Sequence, residues 1–147
     1  MIRIATIDDV PLILKFIHGI AAYEKLSHQV EATELKLRET LFGERKYAEV
    51  ILAFDNEIPV GFALYFHNYS TFRAMPGIYL EDLFVEIDYR GKGFGKALLN
   101  EIISIARQRN CGRVEWSVLD WNTPAIDFYK SMGAEPMNGW TTFRITL

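Results

Sequence analysis

The chain has 147 residues, half of them hydrophobic, and a formal net charge of −3 at pH 7. This length predicts one hydrophobic core and therefore a single domain, residues 1–147, and the negative charge disfavours a general nucleic-acid-binding protein. No apolar run approaches the roughly eighteen residues that a membrane span needs, so we expect a cytoplasmic protein without membrane contacts.

The N-terminal half predicts a strand, two helices and a β-hairpin. Residues 2–5 form a short apolar strand, and residues 33–42 form the second helix. The helix between them has one apolar face, which consists of Ile13, Phe16, Ile17, Ile20 and Ala21. Residues 48–54 and 58–66 are predicted strands joined by a tight turn, and Pro59 is suited to an exposed edge or a bulge.

The C-terminal half predicts three strands and two further helices. The strand at residues 79–85 is followed by a glycine-rich loop and a helix with a broad apolar face, which consists of Leu98, Leu99, Ile102, Ile103, Ile105 and Ala106. Polar and apolar residues alternate over 114–118, as in a strand. Pro124 is placed to open a short helix that Gly133 closes, and residues 143–147 suggest a last strand.

This order of elements, β-α-α-β-β-β-α-β-α-β, predicts a mixed α/β fold. The sheet should be mostly antiparallel, with helices on both faces. A helix between the strands at 79–85 and 114–118 predicts one parallel pair.

The loop Arg90-Gly-Lys-Gly-Phe-Gly95 has the properties of a pyrophosphate cradle. Glycines at positions 91, 93 and 95 let backbone N–H groups approach an anion, and the helix that follows adds unpaired amides and the positive end of its dipole. The side chains of Arg90 and Lys92 can supply neutralising charge. The third glycine comes one position too early for a dinucleotide-binding fingerprint, and Ala97 replaces the hydroxyl residue of a P-loop.

The pattern Arg90-x-x-Gly93-x-Gly95, after a strand and before a helix, resembles the acyl-CoA signature of the GNAT superfamily of N-acetyltransferases. The blocks AAYE, YLEDLFV, RGKGFG and WNTPAIDFYKSMGA, in this order, resemble the diamine (spermidine/spermine) and thialysine N-acetyltransferase group. This resemblance implies the GNAT fold, acetyl-CoA as acyl donor without a metal, a small-molecule primary amine as acceptor, and a homodimer.

The resemblance also implies a set of cofactor-binding residues. Backbone groups of the strand would pair with the pantetheine arm like an added strand, and the loop amides would hold the pyrophosphate. The implied cofactor-binding residues are Leu83, Phe84, Val85, Arg90, Gly91, Lys92, Gly93, Phe94, Gly95, Lys96, Asn122 and Pro124. Asn122 is equally explained as the cap of the helix that follows it.

Acetyl transfer to an amine requires an acid and a base. A lysine-like amine has a pKa near 10.4, so deprotonation at pH 7 costs about 4.6 kcal/mol. The resemblance places the general acid for the leaving thiolate at Tyr129, although a tyrosine beside Phe128 on a short helix is usually a core residue. For the base we favour Glu81, acting through water. An acid in an apolar strand lowers stability unless it is paired with an opposite charge or has a functional role.

Glu81 and Asp82 are consecutive strand residues, whose side chains ordinarily point to opposite faces. Both carboxylates can serve one amine only if a bulge interrupts the strand. Otherwise one faces the pocket, for which we favour Glu81, and the other binds a structural cation. The resemblance places the oxyanion-stabilising amide just beyond these acids, at Phe84 or Val85.

The resemblance implies further substrate-binding residues, which are Tyr23, Glu24, Asp82, Glu115, Trp116 and Ser117. Glu24 is equally explained as a solvated helix end and Trp116 as a core residue. The chain departs from the polyamine enzymes at Asn138, where an acid is expected, and at Arg73, whose charge would repel a polycation. Thialysine, another small amino acid or a short diamine therefore remains possible.

Other residues indicate no separate chemistry. The three histidines are scattered without metal-ligand spacing. Cys111 is the only cysteine and follows the end of the cofactor helix farthest from the glycine loop, so a packed thiol is expected rather than an acyl carrier. Two alternatives stay open, an acetyltransferase for protein amines and a non-catalytic acyl-CoA sensor, and a nucleotide hydrolase is disfavoured because no magnesium-binding motif accompanies the glycines.

Overall fold

The computed structural model describes residues 1–147, which form two compact units, residues 1–117 and residues 118–147. The first unit contains a five-stranded sheet with three α-helices, and the second contains one α-helix. The mixed α/β class is confirmed. The single domain over residues 1–147 stays a prediction.

The sheet of the first unit has its strands in chain order. The strands are β1 (Ile2–Ile4), β2 (Glu49–Asp55), β3 (Ile58–Ser70), β4 (Met75–Val85) and β5 (Val114–Glu115). The first three neighbouring pairs are antiparallel, and β4 and β5 are parallel, as the crossover pattern predicts.

The helices of the first unit are α1 (Val10–Tyr23), α2 (Glu34–Leu41) and α3 (Phe94–Gln108). α1 and α2 cover one face of the sheet, where Phe16 stacks on Phe62 with ring centroids 5.5 Å apart. α3 contacts β2, β3 and β4 and buries the predicted apolar residues Leu98, Leu99, Ile102 and Ala106. Every residue from 50 to 54 is buried, as expected for a strand covered on both faces.

α1 lies unusually close to β4. A methyl group added at Gly19 would come within 2.7 Å of the Phe84 ring. This close approach requires glycine, and it holds the C-terminal end of α1 beside the second half of β4.

Two bulges interrupt the antiparallel pairs. One lies between Ala53 and Phe54, opposite Pro59, which agrees with the predicted role of that proline. The other changes the register of β3 and β4 between Leu64 and Tyr65.

The middle and last strands differ from the prediction. β3 and β4 extend farther, so that only residues 71–74 connect them, and β5 ends at Glu115 instead of Val118. The predicted strand at 143–147 is not formed, and Phe143, Ile145 and Leu147 are exposed. The alternation of these residues is suited to a strand, but a strand is stable only when a neighbour satisfies its backbone groups.

The second unit contains α4 (Thr123–Ser131), with Pro124 in its first turn as predicted. Gly133 follows the helix with φ +88°, the left-handed conformation that favours glycine at a helix end. No helix of either unit combines the length and apolar character needed to cross a membrane.

Candidate active site

The two acids of β4 lie at the second bulge. Leu64 pairs with Asp82 and Tyr65 pairs with Leu80, so Glu81 is the extra residue of β4. A bulge releases consecutive side chains from strict alternation. The structural condition under which both carboxylates can face one pocket is therefore met. Glu81 is exposed, whereas Asp82 is partly buried.

These acids interact with Glu24, which follows the last residue of α1. Burial, together with the charges of Glu81 and Glu24, raises the pKa of Asp82 to about 7. Burial and the charge of Glu81 also raise the pKa of Glu24. Carboxylates that repel one another in this way favour a cationic ligand, which would relieve the repulsion. The three acids form what we call the acidic trio, Glu24, Glu81 and Asp82.

The raised pKa predicts a pH-dependent cost in stability. The pKa of Asp82 rises from an ordinary value of 3.8 to about 7 in the folded protein, so between these values the folded state binds more protons and its free energy of unfolding falls as pH rises. We expect Asp82→Asn to raise Tm by roughly several degrees at pH 8 and by little at pH 4. Thermal unfolding at both pH values measures this, with exposed Asp120→Asn as control. An equal effect at both pH values would contradict it.

The second half of β4 presents an open backbone edge. β5 pairs with β4 only at Ile78 and Tyr79, so the edge beyond Tyr79 has no strand partner. The N–H group of Glu86 donates to Val60 on β3, and in an antiparallel pair alternate residues point to the same neighbour.

It follows that the backbone groups of Phe84 point to β3, and those of Leu83 and Val85 point to the open edge. Of the two candidates for the oxyanion-stabilising amide, the geometry favours Val85. Phe84 does not fit the expected backbone pairing with the pantetheine arm, because its backbone groups point to β3. Its side chain is buried beside Phe16, with ring centroids 6.0 Å apart.

The glycine loop leads into α3 in a conformation that requires glycine. Gly91 has φ +75° and Gly93 has φ +90°, and a methyl group at either position would meet open space. The N–H group of Ala97 donates to the carbonyl of Gly93, which begins the helical hydrogen bonds. The N–H groups of the first turn precede this bond and have no acceptor within the helix, as at any helix N-terminus. This turn comprises Phe94, Gly95 and Lys96. The loop thus has the backbone geometry of an anion site.

The cations of the loop lie against aromatic rings. The guanidinium carbon of Arg90 is 4.5 Å from the centroid of the Tyr23 ring, and its Nε donates to the Val85 carbonyl at 2.8 Å. The Nζ atom of Lys92 is 5.1 Å from the centroid of the Tyr89 ring. The side chain of Arg90 is therefore oriented toward α1 and β4.

The predicted substrate residues near β5 have protein partners. Glu115 forms an ion pair with Arg113 at 2.9 Å and accepts a hydrogen bond from Asn68 at 3.3 Å. Its charge is thus partly neutralised. Trp116 follows β5 and is partly buried.

Tyr79 was not singled out from the sequence. Its hydroxyl lies 2.8 Å from the Oγ atom of Ser117, and its ring centroid is 5.3 Å from that of Phe66. Phe66 and Tyr79 are partners in the β3/β4 register, so they become a recognisable pair only when that register is known. Tyr79 is thus a contact partner of Ser117, a predicted substrate residue.

Asn122, Pro124 and Tyr129 belong to the second unit. The side chain of Asn122 is buried and caps α4 by accepting from the N–H group of Ala125 at 3.4 Å, which is the structural role expected as its alternative. Tyr129 is partly buried on α4, and its ring centroid lies 5.4 Å from that of Phe128.

His67 and Cys111 have local contacts within the first unit. His67 Nδ1 lies 3.0 Å from the Gly77 carbonyl, which can only accept, so Nδ1 bears the proton and Nε2 accepts from Arg109 at 3.0 Å. The Sγ atom of Cys111 is 3.8 Å from this Nδ1. No group of three or more potential metal ligands is assembled.

Comparison with known proteins identifies the family. The family described as "Acetyltransferase (GNAT) family" matches residues 17–134. The chain belongs to the GNAT family. Thialysine N-epsilon-acetyltransferase from Bos taurus is 38% identical over 155 residues, covering 98% of this chain and 91% of that protein. L-ornithine N5-acetyltransferase from Arabidopsis thaliana is 35% identical, covering 99% of this chain and 83% of that protein.

Solved structures support the same fold. An integron cassette protein from V. cholerae has a TM-score of 0.82 and 28% identity, covering 99% of this chain and 91% of that one. An aminoglycoside acetyltransferase from a soil metagenome has a TM-score of 0.83 and 19% identity, covering 100% of this chain and 95% of that one, and shows the fold alone. The GNAT resemblance and its fold are thereby confirmed, and the protein is an acetyltransferase.

Proposed function

We propose that this GNAT enzyme transfers the acetyl group of acetyl-CoA to a primary amine of a small molecule by direct attack in a ternary complex. The observation that supports this most strongly is the acidic trio beside an open strand edge, since it provides a site for an ammonium group next to backbone groups suited to a pantetheine arm. The related thialysine and ornithine enzymes support a small amine carrying an amino-acid group.

Each step of the reaction has a candidate residue. Glu81 accepts the proton of the ammonium group through water, and the neutral nitrogen attacks the thioester carbonyl carbon. The N–H group of Val85 stabilises the developing oxyanion on the open edge. The carbon–sulfur bond then breaks as Tyr129 donates its proton to the departing thiolate, and the second proton that the acylated nitrogen must lose returns through water to the Tyr129 phenolate.

The glycine loop supplies the proposed pyrophosphate site and can be tested separately. Gly93→Val should raise the KM for acetyl-CoA about tenfold or more, because a β-branched residue disfavours φ +90° and distorts the cradle. Gly139→Val is the matched control, since Gly139 has φ +97° and open surroundings outside the loop. Steady-state titration of acetyl-CoA measures both variants. An unchanged KM in Gly93→Val would exclude the cradle.

The function itself is tested by CoA thiol release from acetyl-CoA. The acceptor panel contains thialysine, lysine, ornithine, putrescine, spermidine, spermine and a lysine peptide. Turnover with one small amine and not with the peptide supports the proposal. Turnover with the peptide alone supports a protein acetyltransferase, and acetyl-CoA binding without turnover of any acceptor supports a sensor domain.

We also propose a homodimer. The apolar side chains of Phe143, Ile145 and Leu147 are exposed in the isolated chain, and a second copy would provide a surface on which to bury them. Sedimentation of the protein as a monomer at micromolar concentration would exclude this assembly.

A further inference from the structure

The side chain of Arg90 contacts two parts of the proposed site at once. Its Nε donates to the carbonyl of Val85 at 2.8 Å. Its guanidinium carbon lies 4.5 Å from the centroid of the Tyr23 ring and 5.6 Å from that of the Phe84 ring. One planar group therefore connects the cofactor loop, the open edge of β4 and the end of α1.

The contact with Tyr23 reaches the substrate side of the site. Tyr23 is the last residue of α1, and Glu24 is its C-terminal cap. Lys25, which follows, has φ +62°, so the chain turns away directly after Glu24. A group that fixes the Tyr23 ring thus fixes the point from which Glu24 reaches the acids of β4.

The contact with Phe84 gives this arrangement a rigid base. The Phe84 ring is buried, lies close to Gly19 on α1 and packs against Phe16 with ring centroids 6.0 Å apart. The Arg90 guanidinium thus lies near both a buried core ring and a ring at the exposed end of α1.

Arginine is suited to this position by its shape. A guanidinium can stack flat over an aromatic ring while its N–H groups donate in its own plane, whereas the compact ammonium group of lysine has no plane with which to stack. Arg90 acts on Glu24 through its contact with the Tyr23 ring and on β4 through its hydrogen bond to the Val85 carbonyl.

We propose that Arg90 is a positioning residue that clamps the end of α1, with Tyr23 and Glu24, against β4 and so sets the geometry of the amine site. This inference rests on the proposed function. It assigns to the first residue of the glycine loop a role in binding the acceptor amine, in addition to any contact with the pyrophosphate.

Arg90→Lys separates the two roles because it keeps the charge and removes the planar clamp. We expect the KM for the amine to rise about tenfold, with the KM for acetyl-CoA changed less than about threefold. Arg3→Lys is the matched control, because Arg3 also stacks on a ring, that of Phe54 at 4.9 Å, and lies on β1 at the opposite edge of the sheet. An unchanged amine KM, or an increase confined to acetyl-CoA, would overturn the proposal.

A second measurement, which does not depend on enzyme activity, tests the contact between Arg90 and Tyr23. Tyr23→Leu should lower the urea midpoint of unfolding in the wild-type background and have little further effect in the Arg90→Lys background. Fully additive losses would overturn the contact between the two residues. If the wild-type enzyme acetylates none of the acceptors, the proposed function and the amine-site role fail together, whereas the unfolding measurement still decides whether the clamp exists.

Discussion

Replacement of Tyr129 by phenylalanine is expected to lower kcat about 100-fold or more, while the affinity for acetyl-CoA changes less than about twofold. The substitution removes one hydroxyl and keeps the ring that packs beside Phe128. If Tyr129 donates the proton to the departing thiolate, the variant must expel an unprotonated thiolate, and only the chemical step becomes slower. Single-turnover kinetics and equilibrium binding of acetyl-CoA separate these two quantities.

Tyr69→Phe is the control for this substitution, because Tyr69 is an exposed residue of β3. It should keep wild-type turnover. Wild-type turnover in Tyr129→Phe would remove Tyr129 from the acid role. A parallel loss of turnover and thermal stability would instead indicate that the hydroxyl is needed for packing on α4.

Glu81→Gln is expected to lower kcat/KM about 100-fold at pH 7, with a smaller deficit at pH 9.5. Without a base, the enzyme must use the small fraction of amine that is already neutral, about one molecule in 2,500 at pH 7 for a pKa of 10.4. This fraction rises about tenfold for each pH unit, so added alkali should compensate for the missing carboxylate. The measurement is the pH profile of kcat/KM for wild type and variant with the amine that the wild type prefers.

Two further variants make this test specific. Glu57→Gln, in the exposed hairpin turn, should leave the profile unchanged. Asp82→Asn should weaken amine binding without the compensation at high pH, because Asp82 is assigned to binding. If kcat/KM recovers at high pH in Asp82→Asn and not in Glu81→Gln, Asp82 is the base and Glu81 binds the amine. A deficit of equal size at every pH in both variants would contradict a carboxylate base.

Much of the fold follows from local patterns. The apolar spacing of α3 predicted the buried residues Leu98 and Ile102, because a helix of 3.6 residues per turn leaves only one face for the sheet. The glycines at 91 and 93 predicted a loop whose backbone an anion can approach, and both have positive φ, a conformation in which a side chain would be strained. A helix between two strands also predicted the parallel pair of β4 and β5.

Alternation of apolar and polar residues was insufficient to predict strands whose formation depends on a neighbouring strand. Phe143, Ile145 and Leu147 alternate like a strand, but no neighbouring strand satisfies their backbone. The extent of β5 was overestimated for a related reason, since its pairing with β4 ends at Tyr79.

The sequence by itself determined the family, the glycine loop and the residue types available for catalysis, because these depend on spacing along the chain. Only the tertiary structure decided that a bulge leaves Glu81 as the extra residue of β4 and that burial, together with the charges of Glu81 and Glu24, raises the pKa of Asp82. It also placed the Arg90 guanidinium over the ring of Tyr23. Register, burial and contacts between residues far apart in sequence depend on how the elements pack, and no local periodicity encodes them.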